Sequence, residues 1–468
     1  MYHTDFEALA ALTATYNRRD PMTALLPVLL LAARFDGEAA LRHASRLAAL
    51  GPHPWGSPRV GVAADYVASQ FRDAGLQEVR AQEFESHGVR GSNVIGVLRA
   101  SGPEFLVIGA HHDTAPDAPG AYDDGGGVGV LIEAARAAAG RPRTRTLVFV
   151  SWDGEEASST GKTTTPGSRA YVASLGGDAR QLTAAVVIEM CGWKGGSPVF
   201  QPIPYADPLC AAGSVMTPAW LMRSAEASAR EAGAAMGVGD PLIPWLYQAG
   251  VRTFRVRLYG DDISFLQAGL PALFVSDSSF SAYYPWYHQP SDTADKIDAA
   301  SLERMGRAVL AVAEGLSRAR VGPTQEPVWF AAFGRILGLG PLLALGLLSL
   351  APGLVHASRS GGPALGARIA QALLFLALLW RHAVPALWVF LLPNLLTLPK
   401  RRWLSLLSLV PLLSLGTLGL LAWRRGMLSG LWLAPWELIV AALALALLFL
   451  GAPGRRPAPI PRKTLKRR

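Results

Sequence analysis

The segment GAHHDTAPDAPGAYDDGGGVGV, residues 109–130, places two adjacent histidines a short loop away from two adjacent aspartates. Imidazole nitrogens and carboxylate oxygens together form a ligand set that suits zinc. Neighbouring side chains in extended backbone point to opposite sides, so normally one member of each doublet can face a metal. The segment therefore offers one histidine and one aspartate to a candidate metal site.

The side chains of a metal site must be held by regular secondary structure. Short apolar or β-branched runs predict strands that could do this, namely NVIGVL, FLVIGA, TLVFVSW, AAVVIEM and PALFVSD. Helix-length segments separate these runs, which predicts an α/β fold with a mostly parallel mixed sheet and helices on both faces. In open sheets of this kind, ligands bind beyond the carboxyl ends of the strands. Metal-competent side chains follow three of the predicted strand ends: His111, the pair Glu155 and Glu156, and Glu189.

Two further side chains complete the candidate site. His288 lies in the loop YYPWYHQPSDTADKID, and Asp123 stands where the glycine-rich loop enters the helix GGVGVLIEAARAAA. Two histidines and three carboxylates can hold two divalent ions if one carboxylate bridges them. Structural zinc usually takes four cysteine or histidine ligands, so we expect a catalytic two-metal site.

The doublet of Glu155 and Glu156 indicates the chemistry. One carboxylate can bind metal while the other removes a proton from water, whose pKa a metal lowers from 15.7 to about 7. That combination describes metal-assisted amide hydrolysis. Each motif alone is weak, because HHD can be a hydrogen-bonded cluster, YDDGGG a turn and WDGEE a solvated acidic loop. Their joint order and shared location at strand ends favour the metal site.

The ordered motifs resemble those of the co-catalytic zinc aminopeptidases, whose relatives include glutamate carboxypeptidase, glutaminyl cyclase and the endoplasmic-reticulum metallopeptidase. The resemblance rests on GAHHDTAPDAPGAYDDGGGVGVL, on FVSWDGEE followed by GSRAYV, and on YHQPSDTADKID, and it extends over roughly residues 36–318. It implies a zinc-exopeptidase fold and an aminopeptidase that binds two Zn²⁺ ions per chain and acts on peptides with a free N-terminus.

The resemblance also implies a role for each residue. With Asp123 as the bridge, the implied zinc ligands are His111 and Glu189 for one ion, and Glu156 and His288 for the other. Glu155 matches the general base, and Asp113 matches the carboxylate that orients His111 through its other ring nitrogen. The remaining members of the doublets, His112 and Asp124, are then expected to be structural neighbours.

Three departures from the family pattern bear on specificity. Glu189 stands where the aminopeptidases usually have aspartate, Tyr122 stands where asparagine usually precedes the bridging aspartate, and ASSTGKTTTP lengthens the loop after Glu156. The same scaffold serves carboxypeptidases and glutaminyl cyclases, and a non-catalytic peptide-binding membrane receptor is the alternative outside the enzymes. DDGGGVGV matches neither a dinucleotide fingerprint nor a Walker loop, which argues against nucleotide binding.

Composition divides the chain. Charged, apolar and turn residues mix up to about Arg320, whereas leucine dominates and charges are scarce from Ile336 to Leu450. We therefore expect an all-α transmembrane bundle after the peptidase domain. The predicted segments are 1–35 with a signal-like or anchor helix, 36–318 as the zinc peptidase domain, 319–335 as a linker, 336–452 as the transmembrane domain, and 453–468 as a basic cytoplasmic tail.

Apolar runs predict five membrane spans, at about 336–355, 363–380, 383–399, 403–423 and 431–450. Joining the second and third runs into one helix would bury Arg381 near the bilayer centre, at a cost of roughly 2.5 to 3.5 kcal/mol. Five spans place the peptidase domain outside the cytoplasm, whereas four spans would place it inside. We expect a multi-pass membrane protein with an extracytoplasmic catalytic domain.

The net charge of +9 is mainly a property of the tail, which carries seven positive charges in the last fourteen residues. A basic tail directly after an apolar segment is more typical of contact with anionic lipid headgroups than of nucleic-acid binding. The two cysteines, Cys191 and Cys210, could form one disulfide or remain two thiols, and the chain has no CxxC metal signature.

Overall fold

A computed structural model of the chain describes residues 35–160, 165–201, 205–206, 214–215, 217–234, 237–238, 260–277, 284–319, 322, 329–332 and 335–338. The predicted N-terminal helix within residues 1–35 therefore lies almost entirely outside the described residues. So do the predicted spans and the basic tail, apart from residues 336–338. These expectations stay predictions.

An eight-stranded mixed sheet forms the centre of the fold. Its strands are β1 (Glu78–Ser86), β2 (Val89–Leu98), β3 (Phe105–His111), β4 (Thr146–Trp152), β5 (Leu182–Ile188), β6 (Val199–Gln201), β9 (Gly237–Val238) and β10 (Ala272–Ser276). Two short strands, β7 (Tyr205–Ala206) and β8 (Ser214–Val215), pair separately. The spatial order is β1-β2-β4-β3-β5-β10-β6-β9.

The four central strands β4, β3, β5 and β10 run parallel to each other. Their carboxyl ends consequently meet at one edge of the sheet. The prediction of a mixed sheet is confirmed, and four of the five predicted runs form its parallel central strands. All residues of β3, β4 and β5 are buried, which explains why these strands read as continuous apolar runs.

The run NVIGVL departs from the predicted parallel arrangement. It forms part of β2, which lies antiparallel to both β1 and β4. A two-residue turn at His87 and Gly88 joins β1 to β2, and both residues have positive φ, at 50° and 76°. Such turns match the twist of paired strands and hold an antiparallel hairpin. β1 was not predicted, because it is an edge strand with mostly exposed or half-exposed residues.

Seven helices cover the sheet within the described residues. They are α1 (Gly37–Ala48), α2 (Pro58–Asp73), α3 (Gly126–Ala139), α4 (Pro166–Leu175), α5 (Ala219–Glu231), α6 (Asp262–Gln267) and α7 (Ala299–Arg318). Side chains cap three of the helix starts, where Asp36, Ser57 and Asp298 each accept a backbone N–H from the first turn.

Helices lie on both faces of the sheet, as predicted. One apolar core lies between the sheet and α1, α2, α3, α5 and α7. A second core packs α4 and α6 against the opposite face. Alternate residues of β3 supply the two sides, with Leu106 and Ile108 in the first core and Phe105 and Val107 in the second.

Beyond α7, β11 (Trp329–Ala332) pairs antiparallel with β12 (Arg335–Gly338). β11 falls within the predicted linker, and β12 overlaps the first residues of the first predicted span. Among the described residues, no helix combines the length and the apolar character needed to cross a bilayer.

Candidate metal centre

The carboxyl ends of the parallel strands carry the predicted side chains to one edge of the sheet. His111 is the last residue of β3. Glu155 and Glu156 begin a short 3₁₀ helix, Glu155–Thr160, shortly after β4. Glu189 directly follows β5. Asp123 comes from the loop before α3, and His288 comes from the loop between β10 and α7.

The structure brings all five predicted ligands together in two overlapping groups. His111, Asp123 and Glu189 form one group, which we call the first metal position; Asp123, Glu156 and His288 form the other, the second metal position. Within each group, the potential ligand atoms all lie within 4.8 Å of one another. Asp123 alone belongs to both groups.

Each oxygen of the Asp123 carboxylate faces a different histidine. Oδ1 lies 3.3 Å from Nε2 of His111, and Oδ2 lies 3.3 Å from Nε2 of His288. A tetrahedral zinc site with bonds of about 2.0 to 2.1 Å separates neighbouring ligand atoms by about 3.3 to 3.4 Å. Asp123 therefore has the geometry of a bridging ligand between two metal positions.

The polar atoms that face the two positions are buried and lack ordinary partners. Nε2 of His111, Oδ2 of Asp123 and Oε2 of Glu189 have no hydrogen-bond partner. Nε2 of His288 lies between two carboxylates, at 2.8 Å from Oε1 of Glu156 and 3.3 Å from Oδ2 of Asp123. Buried polar groups are nearly always hydrogen-bonded, so a set that converges without partners needs another explanation. A coordinated cation supplies one, and the mixed nitrogen and oxygen donors fit zinc.

The excess of buried carboxylates over histidines also favours a bound cation. Burial raises the pKa of Glu189, and the nearby Glu155 carboxylate raises it further. Burial also raises the pKa of Glu156 to about 7, with a contribution from Asp123. Burial alone would lower the pKa of His288, but its contacts with Asp123 and Glu156 raise it to about 10. The carboxylates outnumber the histidines, and positive charge between them would stabilise the ionised forms.

Glu155 interacts electrostatically with His111, Glu156 and Asp123 but belongs to neither metal group. Its side chain is buried, and burial raises its pKa well above the usual value; His111 opposes this shift, and Glu156 adds to it. A buried carboxylate with a raised pKa next to a metal site has the properties of a proton acceptor and donor.

Asp113 contacts both strand ends. Nδ1 of His111 lies 3.0 Å from the backbone oxygen of Asp113 and 3.4 Å from its carboxylate. The same carboxylate accepts the backbone N–H groups of Glu155 at 3.0 Å and Glu156 at 3.1 Å. Asp113 thus holds the Glu155–Glu156 turn as well as facing the ring of His111.

The other members of the two doublets, His112 and Asp124, are fully buried and belong to neither metal group. Nδ1 of His112 lies 3.0 Å from the hydroxyl of Ser151. Asp124 accepts the backbone N–H of Gly127 at 3.0 Å and that of Met190 at 3.1 Å, which ties the start of α3 to the segment after Glu189. Cys191 in that segment is a buried free thiol, and Cys210 lies outside the described residues.

Sequence reasoning overlooked two buried aspartates that contact the loop of Asp123. Asp292 accepts the backbone N–H of Tyr122 at 2.9 Å and that of Asp123 at 3.3 Å. Asp277 accepts the hydroxyl of Tyr122 at 2.9 Å. Both aspartates lie within motifs quoted from the sequence, PALFVSD and YHQPSDTADKID, and Asp277 sits at the strand-end position that predicts the other ligands.

Residues 93–313 match the model of a protein family described as Peptidase family M28. Aminopeptidase YwaD of Bacillus subtilis is 28% identical over 229 residues, which cover 47% of this chain and 43% of that protein. The probable lipoprotein aminopeptidase LpqL of Mycobacterium tuberculosis is 29% identical over 268 residues, covering 53% of this chain and 49% of that protein. The chain spans about half the length of these curated relatives.

Among solved structures, the zinc aminopeptidase BSAP from Bacillus subtilis is similar to this chain with a TM-score of 0.48 and 16% identity. That likeness covers 59% of this chain and 94% of that chain. The family match and the curated relatives together support a metallopeptidase of the M28 type for the part of the chain that they cover.

Proposed function

We propose that this chain is a zinc aminopeptidase of the M28 type, which removes N-terminal residues from peptides and holds two zinc ions. The observation that carries the proposal is the bridging geometry of Asp123, whose two oxygens each lie 3.3 Å from a different histidine. The names of the curated relatives, both aminopeptidases, support the substrate class. A substrate peptide with a free N-terminus is therefore the proposed partner.

The ligands would be His111 and Glu189 at the first metal position, Glu156 and His288 at the second, and Asp123 at both. Zinc at these positions would polarise the scissile carbonyl and make a water molecule more acidic. Glu155 would accept the proton from the attacking water and deliver it to the leaving amine. Asp113 would keep Glu155 in place, because it binds the backbone N–H of that residue.

Glu155→Gln tests the mechanism, because the amide keeps the shape of the side chain but cannot accept the proton. We expect hydrolysis of aminoacyl reporter amides to fall by about 10²- to 10⁴-fold, with the zinc content unchanged. Glu104→Gln is the matched control, since Glu104 is exposed and remote from the metal positions. Wild-type activity in Glu155→Gln would refute the assigned role.

Other exopeptidase activities on the same scaffold are separable by substrate. A panel of free-amine, N-blocked and N-terminal glutamine peptides distinguishes an aminopeptidase from a carboxypeptidase and from a glutaminyl cyclase. An aminopeptidase requires the free amine, and blocking it should abolish cleavage. A chain that binds peptides and zinc but cleaves none of the panel would instead be a peptide-binding receptor.

The proposal includes attachment to a membrane through residues 336–452, as a multi-pass protein with an extracytoplasmic catalytic domain. It rests on the apolar runs of that segment, and the lipoprotein description of one curated relative is compatible with it. Alkaline carbonate should leave the full chain in the membrane pellet, whereas release into the supernatant would contradict the spans. Protease cleavage of the peptidase domain in spheroplasts, with protection in intact cells, would agree with a periplasmic location.

A further inference from the structure

The hydroxyl of Tyr122, the residue before the proposed bridging ligand Asp123, makes a hydrogen bond with a buried aspartate. The hydroxyl donates to Oδ1 of Asp277 at 2.9 Å. Tyr122 is fully buried, and its ring stacks on Tyr284 with a centroid distance of 4.1 Å. The side chain therefore has one defined orientation, and the residue that follows it in the chain is the bridging Asp123.

The other oxygen of Asp277 holds the loop that follows Glu189. Oδ2 accepts the backbone N–H of Trp193 at 2.8 Å and also that of Gly192. The backbone N–H of Asp277 in turn donates to the carbonyl of Met190, the residue after Glu189, at 3.3 Å. Asp277 thus connects the loop of Asp123 to the loop of Glu189, which are the two carboxylates of the first metal position.

A different carboxylate serves the second metal position. Asp292, four residues after His288, accepts the backbone N–H of Asp123 at 3.3 Å and the hydroxyl of Tyr284 at 2.7 Å. These contacts connect the loop of Asp123 to the loop of His288. Both links contact Tyr122, the first through its hydroxyl and the second through its backbone N–H, but they lead to different candidate ligands.

We propose that Asp277 is a positioning residue that acts through the Tyr122 hydroxyl to hold Glu189 opposite Asp123 and so sets zinc affinity at the first metal position. This inference rests on the proposed two-zinc function. It assigns to Tyr122 a role that depends on its hydroxyl, since the aromatic ring remains packed on Tyr284 when the hydroxyl is removed. Residues that hold metal ligands in place typically change metal affinity by 10- to 100-fold when they are substituted.

The test measures zinc affinity at one position at a time. His288→Ala leaves the first metal position with all its ligands, and Glu189→Ala leaves the second. Tyr122→Phe is introduced into each background, and zinc affinity is measured by competition with a chromogenic chelator. Tyr66→Phe is the matched control, because its hydroxyl makes a comparable 2.7 Å contact with His43, which joins α2 to α1 and involves none of the candidate metal ligands.

We expect Tyr122→Phe to weaken zinc binding about 10- to 100-fold in the His288→Ala background and less than about 2-fold in the Glu189→Ala background. Tyr66→Phe should change neither value. Asp277→Asn should reproduce the pattern of Tyr122→Phe. In the protein with all ligands, native mass spectrometry during chelator titration should show a one-zinc species over a wider chelator range for Tyr122→Phe than for wild type.

Unchanged affinity in the His288→Ala background, or an equal loss in both backgrounds, would overturn the positioning role of Asp277. If the His288→Ala and Glu189→Ala variants each bind no zinc, the positioning role is overturned when Tyr122→Phe alone leaves the chelator range of the one-zinc species unchanged from wild type. Wild-type protein that binds no zinc would overturn the proposed function together with this inference. Wild-type protein that binds two zinc ions and cleaves aminoacyl substrates keeps the proposed function, whatever Tyr122→Phe does.

Discussion

The carboxylate of Asp113 accepts the backbone N–H of Glu155 at 3.0 Å, although Asp113 follows β3 and Glu155 follows β4. A second N–H, from Glu156, binds the other oxygen at 3.1 Å. Both oxygens of Asp113 are therefore engaged by the turn that presents Glu155 and Glu156. His111 has an alternative partner for its Nδ1 in the backbone oxygen of Asp113, at 3.0 Å.

Asp113→Asn should consequently affect catalysis more than metal binding. The amide retains one accepting oxygen but turns a donor toward the second backbone N–H, which disturbs the position of Glu155. We expect kcat to fall about 10- to 100-fold while the zinc content per chain stays at the wild-type value. Asp117→Asn, an exposed aspartate of the same loop, is the control. Loss of zinc with Asp113→Asn would show that the carboxylate acts mainly on His111.

The shared position of Asp123 makes a prediction about metal stoichiometry. His288→Ala removes a ligand from the second metal position only, so about one zinc ion per chain should remain after dialysis. Asp123→Ala removes a ligand from both positions, so we expect both zinc ions to be lost on dialysis. Inductively coupled plasma mass spectrometry measures the contents. Equal zinc contents in the two variants would contradict the bridging role of Asp123.

A buried charged group far from the metal positions should make stability depend on pH. Burial raises the pKa of Glu133, but hydrogen bonds from His43 and Arg136 outweigh burial and hold the pKa below its usual 4.5. An acid whose pKa is lowered by folding stabilises the fold above its unfolded pKa, and loses that stabilisation as pH falls through its folded pKa. Glu133→Gln should therefore destabilise the protein at pH 7 and matter progressively less below about pH 4.

We expect Glu133→Gln to reduce the free energy of unfolding at pH 7 by about 1 to 3 kcal/mol, measured by urea denaturation with chelator present throughout. Glu314→Gln is the control, because Glu314 pairs with Arg318 on the surface, with 59% of its side chain exposed. Exposed pairs contribute less than about 1 kcal/mol. A pH-independent effect of Glu133→Gln would mean that its charge does not contribute.

Gly109 is required where β3 approaches β4 just before His111. A Cβ on Gly109 would lie 2.2 Å from the ring of Trp152, which is fully buried. Gly109→Ala should lower the free energy of unfolding by about 1 to 3 kcal/mol through overpacking. Gly61→Ala, in α2 with no atom near the added methyl group, should instead raise it by roughly 0.5 to 1 kcal/mol. Thermal unfolding measures both effects: the midpoint temperature should fall for Gly109→Ala and rise for Gly61→Ala. An unchanged midpoint for Gly109→Ala would contradict the steric requirement for glycine.

The sequence alone was sufficient to predict the central strands and the five candidate ligands. Residues of β3, β4 and β5 are buried on both faces, so each strand appears as an uninterrupted apolar run. Parallel strands bring their carboxyl ends to one edge, so the sequence predicts that residues such as His111 and Glu189 lie close together. By contrast, β1 has no apolar run, because it lies at the exposed edge of the sheet.

Only the tertiary structure decided which groups act on these residues. The backbone contact between Asp113 and Glu155, and the link from Tyr122 through Asp277 to Trp193, join segments that are distant along the chain. Such contacts depend on how loops from different strands meet, and no local pattern of residue types encodes them. The candidate ligands were predicted from residue type, strand ends and the family resemblance, whereas the spacing between them is a property of the packed loops.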